Sequence, residues 1–100
     1  MTTVSDPSPR ILELAAVLDF RAAAPLTESL LAMRGTALTI DTSRVERIGG
    51  QCLQVLLSAK QTWSADETAL SFTNLTPGFV ESLRLLGIAE ADLTREAMSE

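Results

Sequence analysis

The stretch Leu38 to Leu57, LTIDTSRVERIGGQCLQVLL, constrains the fold more than any other part of the chain. It opens with apolar Leu38 and Ile40 alternating with polar Thr39 and Asp41, the period-two pattern of a short strand. Arg44 to Arg47 is too polar to continue a core strand and reads as a tight polar loop. Gly49-Gly50 then breaks the chain, and Gln51 to Trp63 runs at helical spacing. At roughly 100° per residue, Gln51, Gln54, Ser58, Gln61 and Thr62 share one face. Cys52, Leu53, Leu56, Ala59 and Trp63 share the opposite one, with Val55 and Leu57 flanking the polar stripe. Lys60 falls among the apolar residues, so its stem is expected along the core edge with its amine in water. The polar side is glutamine-rich and uncharged, where charged residues are the default on a purely solvated face. That composition points to contact.

The flanking segments supply the rest of a small domain. Met1 to Arg10 lacks periodicity and reads as a loose leader. Ile11, Leu12, Leu14, Val17 and Leu18 form two short apolar runs, expected to pair with each other around Ala15-Ala16. Asp19 is placed to cap the next element, and Pro25 fits a helix's first turn. Leu26, Leu30, Leu31 and Met33 then make an apolar stripe closed by Gly35. Beyond the central helix, Ala69, Leu70 and Phe72 read as a strand ending near Asn74. Thr76-Pro77-Gly78 opens a helix whose expected inner face is Phe79, Val80, Leu83 and Leu86, stopped by Gly87. Ile88 to Glu100 is an acidic tail, expected to be helical from Glu90 with Leu93 and Met98 as docking residues.

The order β-β-α-β-α-β-α predicts an α/β fold: a small mixed β-sheet of about four strands covered by three to four helices. The predicted organisation is a flexible leader over 1–10, one domain over 11–88 and a C-terminal tail over 89–100. With 100 residues and 46% hydrophobic content, one compact core is feasible.

Composition removes several function classes. Eight basic residues against 13 acidic ones leave a charge of −5, which argues against nucleic acid as partner. One cysteine and no histidine leave no internal disulfide, no zinc ligand set and no Ser-His or Cys-His nucleophile pair. No metal or other cofactor is therefore expected. The leader has no apolar segment of a secretory signal, and no apolar run is long enough to span a membrane. A cytoplasmic protein without membrane insertion is the expectation.

Several features in series carry a family resemblance: Leu18-Asp19-Phe20, the leucine-rich first helix ending at Gly35, the run IDTSRVERIGG followed by CLQVLL, and Leu85-Leu86-Gly87 closing the third helix. From Ile11 to about Ile88 the chain resembles the STAS domain, the module of sulfate transporters and anti-sigma-factor antagonists. The resemblance implies a non-enzymatic protein-binding module in bacterial signal transduction. Phosphorylatable members carry Asp-Ser-Ser-Gly where this sequence has Gly49, Gly50, Gln51 and Cys52. The acceptor serine matches Gln51, whose amide forms no stable phosphate ester, so this is a degenerate phospho-acceptor position. In this respect the chain is similar to STAS proteins of alpha-proteobacterial chemotaxis clusters.

The expected partner-binding residues are Arg44, Arg47, Gly49, Gly50, Gln51, Gln54, Val55 and Ser58. Gly49-Gly50 reads either as a tight turn that needs glycine or as an anion-accepting helix start with Arg44 and Arg47 adding charge. Cys52 and Trp63 are expected in the core. The expected partner is a regulatory protein, a histidine kinase or related kinase of chemotaxis or anti-sigma type, and the chain itself a monomer or weak homodimer. Two alternatives stand beside this. One is an accessory STAS subunit of an ABC lipid transporter. The other is an auxiliary phosphatase acting on a response regulator through Gln51 or Gln54, since a side-chain amide can orient water towards a phosphoryl group.

Overall fold

The computed structural model describes residues 10–94. The leader before Arg10 and the tail beyond Thr94, Met98 included, lie outside the described residues. Five strands and four helices follow in order: β1 Arg10–Glu13, β2 Val17–Leu18, α1 Ala23–Ala32, β3 Leu38–Asp41, β4 Arg47–Ile48, α2 Gly50–Ala65, β5 Leu70–Thr73, α3 Pro77–Leu85 and α4 Glu90–Thr94. A 3-10 turn, Phe20–Ala22, leads into α1. Asp19 caps that turn by accepting from the Arg21 amide at 3.0 Å.

The expected α/β architecture is present, and every strand pairing among the described residues is parallel. β3 lies in the middle of a three-stranded sheet of order β1-β3-β5, with Ile40 opposite both Leu12 and Phe72. β2 and β4 form a separate two-stranded ladder, Val17 against Arg47 and Leu18 against Ile48. The expected hairpin between the first two apolar runs is therefore not formed. Each run finds a partner beyond a helix instead, as parallel strands require a crossover connection. The polar loop reading is corrected in the same way. Within Arg44 to Arg47, Val45 is buried, and Arg47 begins β4.

The core is one contiguous cluster. Leu38 and Ile40 from β3, Leu70 from β5 and Leu26 and Leu30 from α1 meet the apolar side of α2. That side is Cys52, Leu53, Leu56, Ala59 and Trp63, as the angular reading expects, and all five are buried. Trp63 also donates its indole N–H to the Thr36 carbonyl at 2.8 Å, so its polar edge is satisfied. α3 contributes Phe79 and Leu83, and α4 contributes Leu93, wholly buried. The Lys60 amine lies against the Asp92 backbone carbonyl, joining α2 to α4. Leu86 departs from its expected inward position and is 42% exposed. α3 ends at Leu85; Leu86 is its C-cap, already outside the helix with ψ 3°, and the positive φ of Gly87 (+80°) turns the chain away directly after it.

α3 sits unusually close to the chain before β4. A methyl group at Gly78 would stand 2.9 Å from the Glu46 carbonyl carbon and 3.3 Å from its Cα, inside the reach of the carbonyl oxygen as well. Only a residue without Cβ permits this approach. Ser82, one turn on, accepts from the Ile48 amide at 3.2 Å and fixes the same junction.

Candidate functional site

The corner where β3 hands over to α2 is held at several points. Thr42 is the one buried polar side chain among the described residues. Its hydroxyl donates to the carbonyls of Thr73 (2.9 Å) and Asn74 (3.1 Å), tying the end of β3 to the end of β5. Asp41 accepts from the Ser43 amide at 2.9 Å and from the Asn74 side chain at 3.2 Å. These donors, the Ser43 amide first, hold its carboxyl below the usual carboxylate range. Thr76 does two jobs: its hydroxyl donates to the Val45 carbonyl (2.6 Å) and caps α3 by accepting from the Phe79 amide (3.0 Å). The Glu46 amide donates to Ala16 at 2.7 Å, and the Gly49 amide to Leu18 at 2.9 Å.

Gly49 and Gly50 do not form a turn that demands glycine. Gly49 is extended, with φ −93° and ψ 176°, and Gly50 is the first residue of α2; neither has a positive φ. A methyl at Gly49 would meet the Leu18 carbonyl at an ordinary 3.6 Å, and one at Gly50 would meet nothing within 4 Å. What the pair leaves is an open helix start. Gly49 offers no side-chain cap, and no acidic residue lies in the first turn. The helix itself therefore supplies neither a capping side chain nor an acidic group to its own positive end.

The eight expected contact residues divide into two groups. Gly50 and Gln51 are exposed at the helix start and Gly49 is half-buried just before them, with Arg47 exposed on the adjoining strand and free of ion pairs among the described residues. Arg44 is exposed too, but its guanidinium pairs with Glu13 at the end of β1 at 3.4 Å. Gln54, Val55 and Ser58 lie further along α2 and form one wall of a groove of about 290 Å³. The opposite wall is α1, through Thr27, Leu30 and Leu31, continued by Arg34 in the turn after it, and Ala59 and Trp63 of α2 also line the groove. Arg34 is held by Asp66 through two hydrogen bonds of 2.8 and 3.2 Å.

Two features escape the sequence reading. Leu31, expected in the buried stripe of α1, is 60% exposed on the groove wall. Phe20 is 69% exposed, with the Arg21 guanidinium 5.7 Å from its ring centroid. It stands next to the helix start, because the preceding Asp19 carbonyl accepts from the Cys52 thiol at 3.3 Å. Burial, and then the Asp19 charge, raise the pKa of that thiol. No signal in the local pattern marks Phe20 as exposed, since an aromatic after Leu18 reads equally well as core.

Among the described residues no group of three or more Cys, Asp or Glu side chains is placed to hold a metal ion. The Thr42 hydroxyl is committed to two carbonyls, and Gln51 is exposed at the start of α2. No described helix is long and apolar enough to cross a membrane. The family model described as "Mlab, STAS domain" matches residues 1–95. No curated protein matches the chain.

Proposed function

This chain belongs to the STAS domain family, and on that premise we propose that it is a non-enzymatic, cytoplasmic binding module for a regulatory protein. The uncharged exposed face of α2 carries this reading. Gln51, Gln54, Ser58 and Gln61 are all exposed on one side of a helix whose other side is core. A charge-free strip loses less on desolvation than a charged one, provided that its amides and hydroxyl are hydrogen-bonded across the contact. At its start, the open first turn and Arg47 favour an acidic or hydrogen-bond-accepting group on the partner. The partner we propose is a histidine kinase or related kinase domain. With Gln51 in place of the acceptor serine, the contact is not switched by phosphorylation of this module. Control then comes from the partner, from expression or from competition.

The immobilised chain, exposed to lysate from its own cell, tests this when the captured proteins are identified by mass spectrometry. Gln54→Arg and Arg47→Glu are expected to lose the specific partner with no change in melting temperature. Undiminished capture by both variants rejects the surface. Capture of an ABC-type ATPase instead of a kinase moves the partner class to the transporter. The phosphatase alternative is read separately. A phosphorylated response regulator keeps its normal lifetime beside this protein, and faster loss that disappears in Gln51→Ala overturns the non-enzymatic reading.

A further inference from the structure

We infer that the groove between α1 and α2 is a self-association surface, covered in solution by a second copy of this chain. The first reason is shape. An isologous contact needs one patch that supplies both a projection and a recess. Here Leu31 projects, 60% exposed, from the wall of a recess of about 290 Å³ that also includes Leu30, Val55, Ala59 and Trp63. About a two-fold axis, the Leu31 side chain of each copy enters the recess of the other.

The second reason is charge. Each copy carries −5, so two copies repel at any approach, and least where the meeting faces add no charge of their own. The single ionic side chain lining the groove is Arg34, and Asp66 neutralises it within the same chain. The other strongly exposed apolar side chains lack such surroundings. Phe20 lies beside the Asp19–Arg21 pair, and Leu85 follows the Arg84–Glu81 pair in α3. Ile11 is set between Arg10 and Glu13 on β1. A groove of this size gives a concentration-dependent contact rather than an obligate one. Because the α2 wall of the groove contains Gln54 and Ser58, the paired form covers part of the strip offered to a different protein.

Sedimentation equilibrium on the full chain alone tests this, from about 10 µM to about 1 mM, the range of weak association. The weight-average mass is expected to rise from 10.7 kDa towards twice that value. Leu31→Arg and Ser58→Arg replace exposed or groove-wall positions, so both are expected to fold, as their melting temperatures will report. Each should weaken association at least tenfold, whereas Gln61→Arg, outside the groove lining, should not. Raising salt from about 50 to 500 mM should leave association unchanged or stronger, because repulsion between like-charged copies is screened. A monomer mass throughout overturns the inference, as does undiminished pairing of a folded Leu31→Arg variant or a steep loss of pairing with salt. No partner protein enters the experiment, so its failure and that of the proposed function are separable.

Discussion

Gly78 and Gly50 occupy the same kind of place, the first turn of a helix, yet their replacement by alanine should have opposite effects. At Gly78 the new methyl meets the Glu46 carbonyl group, with only 2.9 Å to its carbon. Relief requires a movement of about an ångström between two backbones to restore ordinary contact. Moving Glu46 stretches the hydrogen bond from its amide to the Ala16 carbonyl and disturbs the β2–β4 ladder. Moving α3 instead lifts Phe79 and Leu83, both wholly buried, out of the core. Overpacking of this sort costs about 1–3 kcal/mol. Where rigid backbone rather than a flexible side chain must yield, the upper half of that range applies. Alanine's better helix propensity returns at most about 1 kcal/mol.

The net loss for Gly78→Ala is therefore about 1–3 kcal/mol, or a fall in melting temperature of roughly 4–24 °C for a domain of this size. Gly50→Ala meets no neighbour and should be neutral or up to about 1 kcal/mol stabilising. Thermal and urea denaturation followed by circular dichroism measure both. Equal or higher stability for Gly78→Ala would refute the close seating of α3 on Glu46 and leave helix propensity as the deciding effect.

Thr42→Val removes the hydroxyl that joins β3 to β5 and should cost about 1–2 kcal/mol in urea titration, despite the near-identical shape. Leu93→Ala should cost about 2–5 kcal/mol because the side chain is fully buried. The same change at exposed Leu85 should stay within about 0.5 kcal/mol. The hydrogen bonds from Arg34 lower the Asp66 pKa in the folded state. This group therefore contributes stability above the ordinary carboxylate pKa of about 4, and the contribution disappears as pH falls through the lower folded-state value. Melting curves of wild type and Arg34→Gln should differ most near neutrality and converge in acid; a pH-independent difference would show that the pair is not the cause.

Legibility from sequence followed the range of the interactions involved. α2 was fully readable, from Cys52 to Trp63, because its two faces are written at helical period in adjacent residues. The same holds for the Thr76 cap and for Gly35, whose φ of +90° ends the turn after α1. The β2–β4 ladder was not readable. Two-residue strands have no periodicity, and their pairing joins Val17 to Arg47 across a helix and another strand. Val45 was hidden for a related reason: its polar neighbours describe the outside of the loop, while burial depends on α3 arriving later in the chain. In the candidate site, the exposure of Gln51, Gln54 and Ser58 was readable from α2 alone. The groove was not, since it exists only in the packing of α1 against α2, and that packing also decides that Leu31 faces outward.

The anchors around Thr42, Asp41, Thr76 and Glu46 have a bearing on how recognition proceeds. In the binding role proposed above, a loop fastened by this many hydrogen bonds would enter the contact already ordered, so little ordering entropy would be surrendered when the partner arrives. Association should then behave as rigid docking: rates limited by orientation, and a heat-capacity change that calorimetry can account for by the area covered, with no contribution from folding of the loop. Selectivity at such a corner resides in what its surface refuses to fit, because the corner does not remodel itself for each newcomer.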